Sequence, residues 1–262
     1  TIAITVNAVN DAPVNSLGTA SAVNEDVANA ITGSTIADVD DTSMTSVQIT
    51  ADRGTFTLAT SSATYNVGTQ GTAASTVTIS GTVTNINVAI ATITWTSATD
   101  DNTNAVITVV TTDSSSAADT DTIAISVTAV NDAPANAGDT AAVNEDTAYS
   151  AWGAGSDWGY TDVDSDTMVS ITLVSQPSNG ALTETNNACG GDGCANGDVI
   201  LLARLAAGDL IYTGTSNYNG ADTFTYTTQD AALSSPTGTM TMTVNAVNDA
   251  PVAGVTSGQS VF

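Results

Sequence analysis

Hydrophobic and polar residues alternate in three stretches of the chain that share one pattern. In each stretch the second, fourth and sixth positions are Ile, Met or Val, and Thr, Ser or Ala stands between them. A period of two is typical of a half-buried β-strand. The three predicted strands span residues 1–9, 122–130 and 239–247.

The tetrapeptide Asn-Asp-Ala-Pro follows each of these strands, at residues 10–13, 131–134 and 248–251. A recurrence at a spacing of about 120 residues predicts tandem repeats. We name this tetrapeptide the NDAP linker and expect it to mark the junctions, where its proline stiffens the chain. The predicted division is the last strand of a preceding repeat at 1–9, whole repeats at 10–130 and 131–247, and the start of a following repeat at 248–262.

Runs of β-branched residues between turn residues predict further strands in both repeats. In the first repeat they are 28–36, 44–50, 54–59, 75–80, 88–96 and 105–112; in the second, 168–176, 180–185, 199–205 and 223–228. Residues 88–93 also fit a helical turn. About seven short strands in each repeat predict an all-β fold of antiparallel seven-stranded β-sandwiches arranged end to end.

The charge of the chain excludes several classes of function. There are 27 acidic residues against two basic ones and no His, giving a net charge of −25. Such a surface repels nucleic acids and anionic lipids. The lack of His and Lys removes the commonest general bases, so we expect no enzyme activity. No apolar run is long enough for a membrane span, and we expect no membrane insertion in this segment.

Acidic residues recur in step with the NDAP linker. Both repeats carry the sequence VNED, with Glu25 and Glu145, and an Asp-Val-Asp turn, with Asp38 and Asp40 or Asp162 and Asp164. An aspartate ends the penultimate strand of each repeat, as Asp113 and Asp230. A further acidic turn precedes that strand, with Asp100, Asp101 and Asp222.

Strand direction predicts where these acids meet. Loops of an antiparallel sandwich fall at two poles; the entry pole is where the chain enters a repeat, and the exit pole is where it leaves. The Asp-Val-Asp turn and the aspartate after the penultimate strand belong to the entry pole. The acidic turn before that strand belongs to the exit pole. The VNED glutamate fits the exit pole, with the entry pole as its alternative.

Carboxylates gathered from both sides of a junction require a cation. Oxygen ligands without His or Cys favour Ca²⁺. The predicted calcium ligands are Asn10, Asp11, Glu25, Asp38, Asp40, Asp100, Asp101, Asp113, Asn131, Asp132, Glu145, Asp162, Asp164, Asp222, Asp230, Asn248 and Asp249.

The two cysteines, Cys189 and Cys194, lie in the sequence CGGDGC. The glycines between them favour a local disulfide, formed in an oxidising compartment. A metal site and two free thiols remain as alternatives.

The motifs VNAVNDAPV, VNEDT, TDVDSD and SNYNGADTFTY resemble the bacterial cadherin-like (Ig-like) tandem repeats of large secreted calcium-dependent adhesins or surface filaments. The resemblance covers essentially the whole chain. The first repeat departs from it before the penultimate strand, where it lacks the NYNG turn. The resemblance implies sandwich domains in series, calcium at the junctions, export from the cell, and a role in adhesion, biofilm or surface filaments.

Two functions therefore compete. The first is an extracellular structural or adhesive module in which interdomain calcium stiffens a rod or filament, with neighbouring repeats or identical subunits as partners. The second is a carbohydrate- or protein-binding module that uses the aromatic insertion at 151–160. Its candidate ligand-binding residues are Trp152, Trp158 and Tyr160, and the alternative is that they cover the end of the sandwich.

Overall fold

A computed structural model describes residues 2–5, 7, 9–153, 155–190 and 193–251. The chain forms two compact units, Thr1–Val130 (unit 1) and Asn131–Phe262 (unit 2). Both consist mainly of strands, and the predicted all-β sandwich fold is confirmed. Within the part of the chain that the structure describes, no helix is long and apolar enough to span a membrane.

Unit 1 is a sandwich of two sheets with one helix. Its elements are β1 (Val14–Ser16), β2 (Val23–Asn24), β3 (Asn29–Thr32), β4 (Thr35–Ala37), β5 (Ser43–Ala51), β6 (Thr55–Leu58), β7 (Thr64–Val67), β8 (Thr76–Thr82), α1 (Val83–Ile90), β9 (Thr92–Thr96), β10 (Ala105–Thr112), β11 (Ala118–Ile125) and β12 (Val127–Thr128). One sheet has the order β11-β10-β5-β8-β7, and the other has the order β3-β9-β6. In addition, β1 pairs with β4, and β2 runs parallel to β12.

The core of unit 1 lies between the two sheets. Trp95 and Phe56 from the three-stranded sheet share one cluster with Ile49 and Ile107 from the five-stranded sheet. Burial alternates along β10, as the period of two predicts. Several predicted strands are interrupted, so the structure shows more strand segments than the pattern predicted.

Unit 2 repeats this connectivity. Its elements are β13 (Ala135–Asn136), β14 (Asp139–Asn144), β15 (Ala148–Tyr149), a 3-10 helix (Gly155–Trp158), β16 (Tyr160–Thr161), β17 (Ser170–Ser175), β18 (Gly180–Glu184), β19 (Val199–Leu201), α2 (Leu202–Ala206), β20 (Leu210–Gly214), β21 (Gly220–Gln229) and β22 (Gly238–Asn245). The sheets are β14-β22-β21-β17-β19 and β15-β20-β18, with β13 paired to β16. As in unit 1, an early strand runs parallel to the last one, here β14 beside β22.

A short helix precedes the central strand of the smaller sheet in both units. Helix α1 replaces the start of the strand predicted at 88–96, so the alternative of a helical turn is the one observed. The hydroxyl of Thr82 caps this helix by accepting the N–H of Asn85. The strand predicted at 199–205 is wrong beyond Leu201, where α2 begins. The leucines at 201, 202 and 205 fit the period of a helix as well as that of a strand. The burial of Leu205 agrees with the helix.

The first predicted strand, at 1–9, is not a strand at the described positions 2–5, 7 and 9. Ile2 and Ile4 are exposed there. Among the described residues no other strand pairs with this segment, and alternation alone does not supply the ladder hydrogen bonds of a sheet. Residues 252–262 of the predicted following repeat lie outside the described part of the chain.

Candidate metal centres

The Asp-Val-Asp turn of unit 1 is shaped by Asp38. Its Oδ1 accepts the backbone N–H groups of Asp40 and Asp41, both at 2.8 Å, which curls the loop after β4 into a tight turn. Its Oδ2 is buried and has no hydrogen-bond partner among the described residues. A buried carboxylate oxygen without a donor is costly unless a cation or another donor meets it.

Asp113 is held beside this turn by the loop that follows β10. It is 1% exposed, and its Oδ1 accepts the N–H groups of Ser115 and Ala117 at 2.8 Å. Its Oδ2 accepts Nδ2 of Asn10 at 2.7 Å. The Asn10 hydrogen bond is the main cause that lowers the pKa of Asp113, and the loop N–H groups add to it. Asp113 is therefore a fixed anion.

Three carboxylates meet at the entry pole of unit 1. One oxygen each from Asp38, Asp41 and Asp113 lies within 4.8 Å of the others. The NDAP linker joins them, because the N–H of Asp11 donates to Oδ2 of Asp40 at 2.8 Å. These are hard oxygen ligands, and with the unpartnered Oδ2 of Asp38 they fit Ca²⁺. Asp41 was not among the predicted ligands, although the sequence places it directly after the turn.

Unit 2 has the same hydrogen bonds at its own entry pole. Oδ1 of Asp162 accepts the N–H of Asp164 at 2.9 Å and that of Asp166 at 3.1 Å. Oδ2 of Asp164 accepts the N–H of Asp132 at 2.7 Å. Nδ2 of Asn131 donates to Oδ2 of Asp230 at 3.1 Å. The linker and the two acidic loops thus form one hydrogen-bonded assembly in each unit.

Asp230 is fixed as firmly as its counterpart in unit 1. It is 1% exposed, and its Oδ1 accepts the N–H groups of Ala232 and Leu233. The Leu233 N–H is the largest cause that lowers the pKa of Asp230, followed by the Ala232 N–H. A carboxylate that accepts several backbone N–H groups is favoured in its charged form.

The VNED glutamates lie at the exit pole of their units. Oε1 of Glu25 accepts the N–H of Val130 at 2.8 Å, and Oε1 of Glu145 accepts that of Val247 at 2.6 Å. In each case the donor is the residue immediately before an NDAP linker. Oε2 of Glu25 is buried without a hydrogen-bond partner among the described residues. The sequence left both the exit pole and the entry pole open for this glutamate, and its contact with the residue before the linker places it at the exit pole.

The aspartates that follow these glutamates are functional candidates that the sequence reasoning missed. Asp26 and Asp146 have positive φ angles of 58° and 57°. Oδ1 of Asp26 accepts the N–H of Asp100, and Oδ1 of Asp146 accepts that of Asn217, both at 3.2 Å. The VNED sequence repeats the aspartate as well as the glutamate, and this repetition could have identified the two aspartates as candidates. The bond between Asp26 and Asp100 brings the Asp100 turn to the exit pole, where strand direction predicts it.

Two predicted ligands have other roles in the structure. Asp101 forms an ion pair with Arg53 at 3.5 Å, and its other oxygen accepts the N–H of Thr103. Hydrogen bonds from Thr103 are the first cause of its lowered pKa, and the charge of Arg53 adds to them. Asp222 lies within β21 rather than in a polar turn, and it is 2% exposed.

Asp222 is surrounded by donors from its own unit. It accepts the N–H groups of Ser178, Asn179 and Thr223 and the hydroxyl of Tyr212. Its two oxygens are therefore occupied by hydrogen bonds that hold the β17–β18 loop and β20 against β21. Asp222 therefore has a structural role in place of the predicted metal ligation. The sequence motif does not show that its side chain points inward, and the prediction missed this role for that reason.

The third NDAP linker has the same local bond as the other two. Nδ2 of Asn248 donates to the carbonyl oxygen of Asp249 at 3.2 Å, and the bonds of Asn10 and Asn131 to their following aspartates measure 2.9 and 3.0 Å. Asn248 and Asp249 are both exposed. Their assignment as ligands stays a prediction.

The aromatic insertion of unit 2 is part of the core. Trp152 is 4% exposed and Trp158 is 0% exposed. Their rings pack on each other at a centroid distance of 5.2 Å, and Trp158 meets the ring of Tyr226 edge to face at 4.9 Å. Nε1 of Trp152 donates to the carbonyl oxygen of Leu210. Neither indole offers the open face that stacking on a sugar requires, so the core role is the one observed.

Tyr160, the third aromatic candidate, is half-buried beside the acidic turn of unit 2. Its hydroxyl donates to the carbonyl oxygen of Asp166 at 2.9 Å. Burial raises its pKa to about 12, and the nearby charge of Asp162 contributes. Tyr160 thus supports the entry-pole loop rather than an exposed binding face.

Cys189 and Cys194 form a disulfide, with their Cα atoms 5.1 Å apart. The sequence favoured a disulfide over a metal site or two free thiols, and the disulfide is the arrangement observed. The carboxylate of Glu184 accepts the N–H of Cys189, so the loop is tied to the end of β18.

Residues 131–243 match the family model of the bacterial Ig domain. These residues form a bacterial Ig-like domain. The resemblance inferred from the motifs is confirmed there, and the bacterial Ig-like domain lies within unit 2. No curated protein sequence matches the chain.

Solved structures of low similarity include several cadherin fragments. Human mucin-like protocadherin EC1-2 is 13% identical with a TM-score of 0.38, covering 90% of this chain and 98% of the other. Protocadherin gamma B2 EC3-6 is 13% identical with a TM-score of 0.42, covering 90% and 51%. Drosophila N-cadherin EC1-4 is 15% identical with a TM-score of 0.38, covering 91% and 50%. The chain thus spans about half the length of the last two.

Proposed function

We propose that the chain is an extracellular structural or adhesive repeat module in which calcium ions at the junctions between repeats stiffen an extended rod or filament. The observation that carries this proposal is the repeated entry-pole assembly. In both units the backbone N–H of the linker aspartate donates to the second aspartate of the Asp-Val-Asp turn. The pairs are Asp11 with Asp40 and Asp132 with Asp164. The hydrogen bond from the linker asparagine to the aspartate after the penultimate strand is also present in both units.

Covalent continuity supports a junctional position for the ions. Glu25 holds the N–H of Val130, and the next residue is Asn131 of the second NDAP linker. Glu145 stands in the same relation to Val247 and Asn248. The N–H group that Glu25 accepts therefore belongs to the residue directly before the second NDAP linker, and that linker is hydrogen-bonded to acids of unit 2. We propose that calcium joins these two groups.

Calcium binding would stabilise the ordered arrangement by mass action. The gain is about 2.7 kcal/mol when free calcium is about 100 times Kd. Extracellular modules of this kind bind with Kd of about 10⁻⁴ to 10⁻³ M, which suits external calcium levels. The disulfide and the net charge of −25 also fit an external location, the first because it needs an oxidising compartment. We propose no catalytic activity.

The test is the shape and stability of the whole chain with and without calcium. Small-angle scattering should show a larger and more uniform maximum dimension in Ca²⁺ than in EDTA, and the melting temperature should rise. Mg²⁺ at equal concentration controls for ionic strength, since it prefers six ligands in stricter geometry. The proposal fails if both measurements are the same in Ca²⁺ and EDTA.

The alternative of sugar recognition through the aromatic insertion has no supporting observation at the predicted residues. Trp152 and Trp158 are core residues, and Tyr160 is bonded to the acidic loop. We therefore retain a single proposed function. Its partners are neighbouring repeats or identical subunits.

A further inference from the structure

The two entry poles differ at the residue that stands two positions before the Asp-Val-Asp turn. In unit 1 this residue is Ile36, and in unit 2 it is Tyr160. The strand register makes the two equivalent, because Ile36 of β4 pairs with Asn15 of β1, and Tyr160 of β16 pairs with Asn136 of β13. Asn15 and Asn136 occupy the same place after their NDAP linkers. A buried aliphatic side chain in unit 1 therefore corresponds to a half-buried phenol in unit 2.

The phenol of Tyr160 contacts oxygens of the acidic turn. Its hydroxyl donates to the carbonyl oxygen of Asp166 at 2.9 Å and also lies 3.4 Å from Oδ2 of Asp162. Ile36 has no polar group, and Oδ2 of Asp38 is buried without a hydrogen-bond partner among the described residues. In unit 2 the hydroxyl thus meets the carboxylate oxygen that has no described partner in unit 1.

The acids of the two turns are also arranged differently. In unit 1, one oxygen each from Asp38, Asp41 and Asp113 lies within 4.8 Å of the others. Asp166 is the counterpart of Asp41, since the N–H of each donates to Oδ1 of the first aspartate of its turn. Within the described part of the chain, no cluster of three acids is drawn from unit 2 alone. The entry pole of unit 1 is therefore better organised for a cation.

We propose that Tyr160 lowers the calcium affinity of the entry pole of unit 2, which then fills at a higher calcium concentration than the entry pole of unit 1. The inference rests on the proposed function, because it assigns calcium to both poles. Carboxylate and backbone carbonyl oxygens are both calcium ligands, and the hydroxyl of Tyr160 contacts one of each. Calcium must displace this donor before it binds either oxygen.

The acidic turn of unit 2 does not depend on the hydroxyl for its shape. Oδ1 of Asp162 accepts the N–H groups of Asp164 and Asp166, and neither bond involves Tyr160. The pairing of β16 with β13 is made by the backbone. Tyr160→Phe should therefore remove the donor and keep the aromatic ring, the strand pairing and the turn.

Calcium titration of the whole chain, followed by amide chemical shifts, reads the two poles separately. The amides of Asp40 and Asp41 report on unit 1, and those of Asp164 and Asp166 report on unit 2. In the unmodified chain the unit 2 amides should have the higher apparent Kd. In Tyr160→Phe that Kd should fall about fivefold, the factor that corresponds to one typical hydrogen bond, and the Kd of unit 1 should stay the same.

Tyr149→Phe is the matched control, because it also removes a hydroxyl that donates to a carbonyl oxygen, that of Ala151 outside the acidic turn. It should change neither Kd. An unchanged or higher Kd of unit 2 in Tyr160→Phe overturns the role of Tyr160, and so does an equal fall in the control. Such results leave the proposed function standing, since both units still bind calcium. If the amides of neither unit respond to calcium, the proposed function and this inference fail together.

Discussion

Asn10 donates a hydrogen bond to Asp113 although 103 positions separate them in the sequence. The bond is 2.7 Å long and ties the NDAP linker to the loop after the penultimate strand. Asn131 and Asp230 repeat it in unit 2 across 99 positions. Linker and loop are thus one structural element in each unit, and loss of either partner should affect calcium binding.

Asp113→Ala should weaken calcium binding at the entry pole of unit 1 by about tenfold or more, the range seen even for outer-shell changes at metal sites. The variant removes one carboxylate of the three-acid cluster and the acceptor for Asn10. Calorimetric titration should resolve the loss. Asp121→Ala on β11 is the matched control and should titrate as the unmodified chain. Equal affinity in Asp113→Ala would exclude this residue as a ligand.

Asp222→Ala should destabilise unit 2 without reducing the number of bound calcium ions. The carboxylate is 2% exposed and accepts four donors, and breaking such a buried polar network costs about 3 kcal/mol or more. Urea unfolding measures the first effect and calcium titration under folding conditions the second. A fall in the number of bound ions would restore Asp222 as a ligand.

The sequence predicts most of the fold because one face of each strand is buried. The predicted and observed bounds of β10 agree at 105–112, where β-branched residues alternate between core and surface. Repetition also predicts which acids are equivalent, since Asp38 and Asp162 orient their turns through the same backbone bonds. These features are local, or they repeat in the chain, and a single sequence contains them.

Features that depend on three-dimensional surroundings were not predictable. The positive φ of Asp26 and its bond to the Asp100 turn arise from tertiary packing. The insertion around Trp158 has no period, so its burial cannot be told from exposure by sequence alone. Asp222 belongs to a motif that resembles an acidic turn, yet the strand begins before it and points it inward.

Trp158→Ala should destabilise unit 2 by about 3–5 kcal/mol, the usual cost of removing a large buried aromatic side chain. The indole is fully buried between Trp152 and Tyr226. Unfolding followed by circular dichroism should show an earlier transition for unit 2 and an unchanged one for unit 1. Val199→Ala, at a residue that is 52% exposed, is the control. A Trp158→Ala loss no larger than that of the control would contradict the core assignment.

Acidification should remove a contribution that Asp209 makes to stability. The side-chain amide of Asn186 is the first cause of its lowered pKa, and Thr185 and Arg204 add to it. A group whose pKa is lower in the folded state stabilises the fold above its ordinary pKa of about 3.9. The contribution is lost as pH falls through the folded-state value.

The difference in unfolding free energy between the unmodified chain and Asp209→Asn, measured in EDTA, isolates this effect. It should be constant above pH of about 5 and should shrink as the pH falls below about 4. Acidification also relieves the repulsion among the other acids. This effect is common to the unmodified chain and the variant, so it cancels in their difference at each pH. A difference that grows on acidification would have the wrong sign for a lowered pKa.

Replacing both Cys189 and Cys194 by Ala should cost unit 2 about 2 kcal/mol, because a cross-link that closes so short a loop removes little entropy from the unfolded chain. Alanine is chosen because Cys189 is buried. The loop is also held by Glu184 through the N–H of Cys189, so its local structure should persist. Calcium titration should be unchanged, since neither cysteine takes part in the hydrogen bonds of the entry-pole assembly. Urea unfolding with and without reductant checks the result: the unmodified chain should lose stability on reduction, and the double variant should not respond. A response of the variant to reductant would place the effect elsewhere than in this disulfide.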